Sequence, residues 1–144
     1  MKIMRLTPIF FFLLSSVSAF GQSGYNLKFK ITGLKDTTIY LGNYYGETTY
    51  IKDTARVNNV GEFSFEGKKP LTYQGVYFLV LGKTKQFEFV IGSNQNFSMS
   101  TTSSDYVRNM KVTGDVDNTL YFDNMIFISQ RHVEAEPFLN TIND

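Results

Sequence analysis

The sequence predicts an all-β fold: an antiparallel β-sandwich of about eight short strands, followed by a C-terminal helix. Three observations lead there. Apolar side chains alternate with polar ones through most of residues 25–113, the period of half-buried strands. Turn residues recur at the ~8–12-residue spacing of sandwiches and barrels. Phe (14) and Tyr (9) bring the aromatic content to 16% with no Trp, and both favour a pleated, half-buried surface. No βαβ alternation occurs, so the sheets are expected to be antiparallel.

The elements follow in order. Tyr25, Leu27, Phe29 and Ile31 alternate with Asn26, Lys28, Lys30 and Thr32, which makes a first strand that Gly33 ends and Lys35-Asp36 turns. Thr37 to Tyr45 is a second strand, with Ile39 and Leu41 on one face and Tyr40 on the other. Gly46-Glu47 turns the chain into a third, more polar strand, Thr48 to Val57. Asn58-Asn59-Val60-Gly61 reads as a hairpin turn, since Asn and Gly tolerate positive φ. Phe63 and Phe65 mark a fourth strand, broken by Lys68-Lys69-Pro70. Gly75 to Leu81 is a continuous apolar run, expected as a central strand covered on both faces. Phe87, Phe89 and Ile91 form the next strand, and Phe97 and Met99 a short one before a polar, loop-like stretch from Ser100 to Asp105. Met110 to Thr113 is the last strand, stopped at Gly114. Beyond it, Asp117 or Asn118 can cap a helix over Thr119 to Arg131. That helix is apolar over more than half its circumference, and is expected either to meet two surfaces or simply to pack under the sandwich. Glu134-Ala135-Glu136-Pro137 is expected to interrupt it.

The first residues read as an address. Lys2 and Arg5 form a basic head, Leu6 to Leu14 an apolar run, and Ser15 to Gly21 a small-residue exit. These are the three regions of a cleaved secretory signal peptide, and the run is too short for a span of ~20 residues. Cleavage after Gly21 is favoured, with Ala19 as the alternative. The organisation expected is a signal peptide at 1–21, a sandwich domain at 22–114 and a helical segment at 115–144 that starts a connection to a downstream domain. Export implies a periplasmic location. With no cysteine after the apolar run, a lipid anchor is not expected, nor is a membrane span after cleavage.

Composition removes much chemistry. The cysteine count is 0, which excludes disulfides, thiolate metal sites and a CxxC redox pair in this chain. His132 is the single histidine, so triads and multi-histidine metal sites lack material. With 14 basic and 13 acidic residues and no basic run, there is no electrostatic footprint for nucleic acid. Asp115-Val116-Asp117 opens like a calcium loop, but Leu120 and Ile126 stand where Gly and Glu are needed, so a capping turn is the better account. His132 with Glu134 and Glu136 is a weak metal proposal. Asp53 with Tyr50 is the least poor catalytic pair, and an edge strand explains it. No catalytic, cofactor-binding or metal-binding residue is therefore assigned, and no cofactor is expected. Tyr40, Tyr44, Tyr45 and Tyr50 form the one candidate binding surface, since aromatic rings on a sheet face can stack on sugars or partner surfaces. Cross-strand packing is the plainer account.

Several ordered stretches carry a resemblance. They are Phe29-Lys30-Ile31-Thr32-Gly33-Leu34, Ile39-Tyr40-Leu41, Lys52-Asp53-Thr54-Ala55-Arg56-Val57, Gly61-Glu62-Phe63-Ser64-Phe65-Glu66-Gly67, Gly75-Val76-Tyr77-Phe78-Leu79 and Val112-Thr113-Gly114. Together they resemble the N-terminal domain of unknown function that precedes the thioredoxin-like domain in exported bacterial thiol-disulfide oxidoreductases (TlpA/ResA-like, AhpC/TSA-type), over about residues 25–125. The resemblance implies a non-catalytic β-sandwich module that docks or positions a downstream redox domain holding the CxxC. The expected partner is that domain or an envelope protein. The alternative is a free-standing envelope protein that binds glycan or protein through its tyrosine-rich strands.

Overall fold

Alternation does what the pattern promises. In β1 (Tyr25–Thr32), Leu27, Phe29 and Ile31 are buried while Lys28 and Lys30 face out. The same rule turns Phe63 and Phe65 of β4 (Glu62–Gly67), Phe97 and Met99 of β7 (Asn96–Thr102), and Phe87, Phe89 and Ile91 of β6 (Thr84–Ile91) inward. The computed structural model describes residues 24–142; the export signal expected at 1–21 lies outside the described residues.

Two four-stranded sheets result. Sheet A has the order β4-β1-β7-β8, with β8 at Lys111–Thr113. Sheet B has the order β3-β2-β5-β6, with β2 at Thr38–Tyr45, β3 at Thr48–Arg56 and β5 at Gly75–Leu81. Their inner faces enclose one apolar core. Phe29 organises it: its ring stacks on Phe63 at 5.2 Å, meets Phe65 edge-on at 5.9 Å and reaches Phe89 of the opposite sheet at 5.4 Å. Such pairs add about 0.5–1.5 kcal/mol each beyond burial.

The pairing departs from expectation in two places. β1 and β7 run parallel, with Asn26 opposite Asn96 and Thr32 opposite Thr102, whereas the other strand pairs are antiparallel. Parallel neighbours need a long crossover; here sheet B supplies it in place of a helix. Residues 58–61 make a tight turn, but not a hairpin: β3 lies in sheet B and β4 in sheet A. The local chemistry is as read. Asn58 Oδ1 accepts from the amides of Val60 and Glu62, and Gly61 adopts φ 84° with its Cα pressed so close to the Ile31 carbonyl that a Cβ would lie 2.2 Å from the oxygen. The turn carries the chain from one sheet to the other, and β4 finds its partner in β1.

β5 is central in sheet B, as expected, with Tyr77 and Leu79 in the core. Its outer face is covered only in part: Phe78 is buried but Val76 is exposed. The Phe78 ring lies over Gly42 of β2, where a Cβ would stand 2.3 Å from the ring. β7 continues through Ser100 to Thr102, further than its polar sequence implied, because the Thr101 hydroxyl is satisfied by the Tyr106 carbonyl at 2.8 Å.

The helix, α1, spans Val116–Ile142. It starts earlier than expected because Asp115 is the cap: its Oδ1 accepts from the Asn118 amide at 2.8 Å. It also continues through Pro137, where an interruption was expected. Asn118 does something else. Fully buried, it accepts from Val90 N–H and donates to Val90 C=O, both at 2.7 Å. Val90 lies on β6, the edge of sheet B. The carboxamide therefore pairs with that edge as a neighbouring strand's peptide would. Phe122, one turn on, closes against Phe87 at 6.2 Å.

Asn118→Ala strands two part-buried backbone groups of Val90, each worth up to about 1–3 kcal/mol unpaired. Urea unfolding is expected to show a loss of about 2–4 kcal/mol. The exposed control Asn124→Ala should stay within about 0.5 kcal/mol of the parent.

Candidate functional site

The four tyrosines proposed as one surface divide between two faces of sheet B. Strand alternation puts Tyr40, Gly42 and Tyr44 of β2 on the outer face, and Asn43 and Tyr45 on the inner. Tyr50 of β3 sits opposite Asn43 and so shares the face of Tyr45. A bulge separates the two ends of this hairpin. Leu41 faces Asp53 and Gly42 faces Ile51, which leaves Lys52 as the extra residue.

On the outer face, Tyr44 closes a polar cluster over Phe78. Its ring lies 4.9 Å from that of Phe78. Its hydroxyl donates to Glu88 at 2.6 Å and accepts from Lys85 at 2.8 Å, and Lys85 pairs with Glu88 at 2.5 Å. The hydrogen bonds from Lys85 and Tyr44 hold the Glu88 carboxyl below its ordinary range, and the bond to Glu88 pushes Lys85 up. Tyr40, half-buried, sits opposite Thr54 and Val80 in register. The cluster's donors and acceptors serve one another, so it behaves as a lid on Phe78.

The inner-face tyrosines are different. Where the core ends, Tyr45 meets Tyr73 at 5.1 Å and Tyr50 at 6.5 Å. Lys52 Nζ stands 5.9 Å over the Tyr73 ring. These groups, with Ile51 and the buried Asn43, line a cleft of about 300 Å³. Tyr73 comes from the loop between β4 and β5, pinned where the Tyr77 hydroxyl donates to its carbonyl at 2.8 Å. Tyr73, Lys52 and Asn43 were not singled out from the sequence. Tyr73 lies in no periodic segment, and Lys52 reaches this face only through the bulge.

The pairing of Asp53 with Tyr50 is not what forms. Asp53 points inward from the edge strand β3 and accepts from the Tyr25 hydroxyl of the opposite sheet at 2.7 Å. An inward charge on an edge strand discourages strand addition there. His132, Glu134 and Glu136 lie on α1, where Glu134 points away from His132 while Glu136, four residues on, shares its face. Among the described residues, no three His, Asp or Glu side chains come together to hold a metal ion. A wider depression of about 810 Å³ covers the outer face of sheet A, floored by Ser64, Ser98 and Ser100 between Lys28, Lys30 and Lys111. Lys30 there is paired with Glu62 at 3.0 Å.

α1 leaves a second surface. Val116, Leu120 and Phe127 are 72%, 63% and 54% exposed. At ~100° per residue they fall within ~40° of one another, on the side away from Asn118 and Phe122. Met125, Ile128 and Val133 are exposed on other sides of the helix, and the Arg131 guanidinium lies 5.2 Å over the Phe127 ring. The helix thus meets the sandwich through its first turns, at Asn118 and Phe122, and leaves apolar side chains exposed on more than one side beyond them. No helix among the described residues is long and apolar enough to cross a membrane.

A family model described as Domain of unknown function (DUF4369) matches residues 25–121, from β1 into α1 and more than half of the chain. No curated protein and no solved structure matches the chain.

The Tyr25 hydroxyl is pushed up to about 12, first by burial and then by its bond to Asp53 and that carboxylate's charge. A raised phenol contributes stability that is complete below its unfolded value of 10.0 and is lost as pH rises toward about 12. Screened by nearby solvent, the loss is about 1–2 kcal/mol over that window. Urea midpoints at pH 9 and pH 11.5 should show a smaller drop for Tyr25→Phe than for the parent. The drop should not vanish, because burial also raises Tyr77.

Proposed function

The chain belongs to the DUF4369 family, and on that premise we propose that it is the non-catalytic, exported module of a thiol-disulfide oxidoreductase-like protein, positioning a thioredoxin-like redox domain through α1. The observation that carries this reading is the set of apolar side chains that α1 leaves exposed, Val116, Leu120, Met125, Phe127, Ile128 and Val133. These six exposed apolar side chains, on a helix that is anchored to the sandwich through its first turns, form a surface for a second body. The absence of cysteine supports the division of labour: a CxxC must come from the domain that α1 meets. The basic head, apolar run and small-residue exit of residues 1–21 support export to the periplasm, where such a redox domain would work. The ordered likeness to domains that precede thioredoxin-like partners supports the choice of partner.

The coding DNA beyond the Asp144 codon provides the direct test. An in-frame continuation into a thioredoxin-like sequence with CxxC is expected; a stop codon directly after Asp144 would overturn the reading. In the longer product, the double variant Leu120→Lys/Phe127→Lys should leave the sandwich's urea midpoint unchanged, within about 0.5 kcal/mol. It should also speed proteolytic separation of the two domains several-fold.

A further inference from the structure

At the end of sheet B the inner face of β2 stops being apolar. After Ile39 and Leu41 comes Asn43, 2% exposed, flanked in register by Tyr50 on β3 and Tyr77 on β5. Its Nδ2 donates to the Tyr44 carbonyl at 3.1 Å. That bond sets the orientation of the amide, since turning it over would bring oxygen against oxygen. Oδ1 is left buried and without a hydrogen-bond partner. A buried acceptor without a partner destabilises a fold, and an apolar side chain of the same shape would not. Asn43 is thus a poor choice for packing alone. It also lines the cleft walled by Tyr45, Tyr50 and Tyr73 and rimmed by Lys52.

We propose that this cleft binds a saccharide, with a pyranose ring packed against the tyrosines and one hydroxyl donating to Asn43 Oδ1. Each part of the lining selects for that chemistry. A neutral acceptor buried beneath the cleft calls for a neutral donor, which a sugar hydroxyl supplies. The C–H face of a pyranose is apolar and slightly positive, and complements the negative face of a tyrosine ring. Lys52 can donate to ring or hydroxyl oxygens at the rim, and it disfavours a cationic ligand. The cleft volume of about 300 Å³ is at the small end of ligand sites and suits one or two sugar rings. Oδ1 is itself shut off from solvent, so the proposed hydrogen bond requires the side chains that cover it to rearrange when the sugar binds. The site lies on the β2–β3 side of sheet B, remote in the strand order from the β6 edge that α1 caps. It stands or falls independently of the redox-module reading.

The test is a ¹H–¹⁵N NMR titration of the chain with maltose, cellobiose and chitobiose, with co-sedimentation on starch, cellulose and chitin to separate free from polymer-borne sugar. At least one disaccharide should shift the amides of Asn43, Tyr45, Tyr50 and Tyr73 saturably. Tyr45→Ala and Asn43→Leu should each weaken binding at least ~10-fold. Asn43→Leu should also melt at a higher temperature than the parent, because the unpaired oxygen is gone. If Asn43→Leu does not fold, Tyr45→Ala, at an exposed position, decides alone. The proposal is overturned if none of the three sugars gives a saturable shift, if the shifts map elsewhere, or if the variants that fold bind as the parent does. It is equally overturned if a proline-rich peptide binds the cleft and the sugars do not.

Discussion

The placement of α1 depends on one side-chain amide. Asn118 offers Val90 the acceptor and donor that a further strand would have offered, so the open edge of sheet B is capped there by a helix. Asp115 orients it, since the Asn118 amide and its Nδ2 both donate to Asp115 Oδ1 at 2.8 and 2.9 Å. The same device recurs at Gln95, whose carboxamide accepts from Leu71 N–H at 2.7 Å and donates to Leu71 C=O at 3.2 Å. Both amides satisfy backbone groups that burial would otherwise leave unpaired. With Asn118 in place, Phe122 falls against Phe87 and the aromatic core reaches the helix. The opposite stripe, with Leu120 and Phe127, then faces outward by the geometry of the helix alone.

Sheet B has two differently finished edges, and each carries one of the two proposed roles. The β6 edge is capped at Val90 by α1. The β3 edge is protected by the Lys52 bulge and the inward Asp53, held by Tyr25 from the other sheet. The bulge has a second effect, because it sets Lys52 beside the tyrosines at the mouth of the cleft. A module built this way can meet a protein domain along its helix while its far edge stays open to a small ligand.

The strands and their faces were legible from the sequence because alternation is a local signal. Phe29, Phe63, Phe89 and Met99 face the core just as their spacing implies. Partners were less legible. Asn58 and Gly61 make the turn their chemistry calls for, yet local chemistry does not say whether the next strand folds back beside β3 or passes to the other sheet. The parallel β1–β7 pair joins segments far apart in sequence and leaves no local trace. The tyrosines show both sides of this. That Tyr40 and Tyr44 share a face follows from spacing; that Tyr45 belongs with Tyr50 and Tyr73 depends on cross-strand register and on a loop.

By itself, then, the sequence determined a cysteine-free, β-rich chain, the inward and outward residue sets of most strands, and an over-apolar helix at its end. These follow from composition and from periods of two and 3.6 residues, which act over a few neighbours. The tertiary structure decided which strands pair, which apolar stripe of the helix is covered, and which polar groups stand alone. Asn118 and Asn43 are the same residue type, and nothing in their local sequence separates them. One meets the open backbone of an edge strand and becomes the anchor of the helix; the other reaches the end of the core with an oxygen unpaired, because hydrogen bonds between distant segments are settled only when those segments meet.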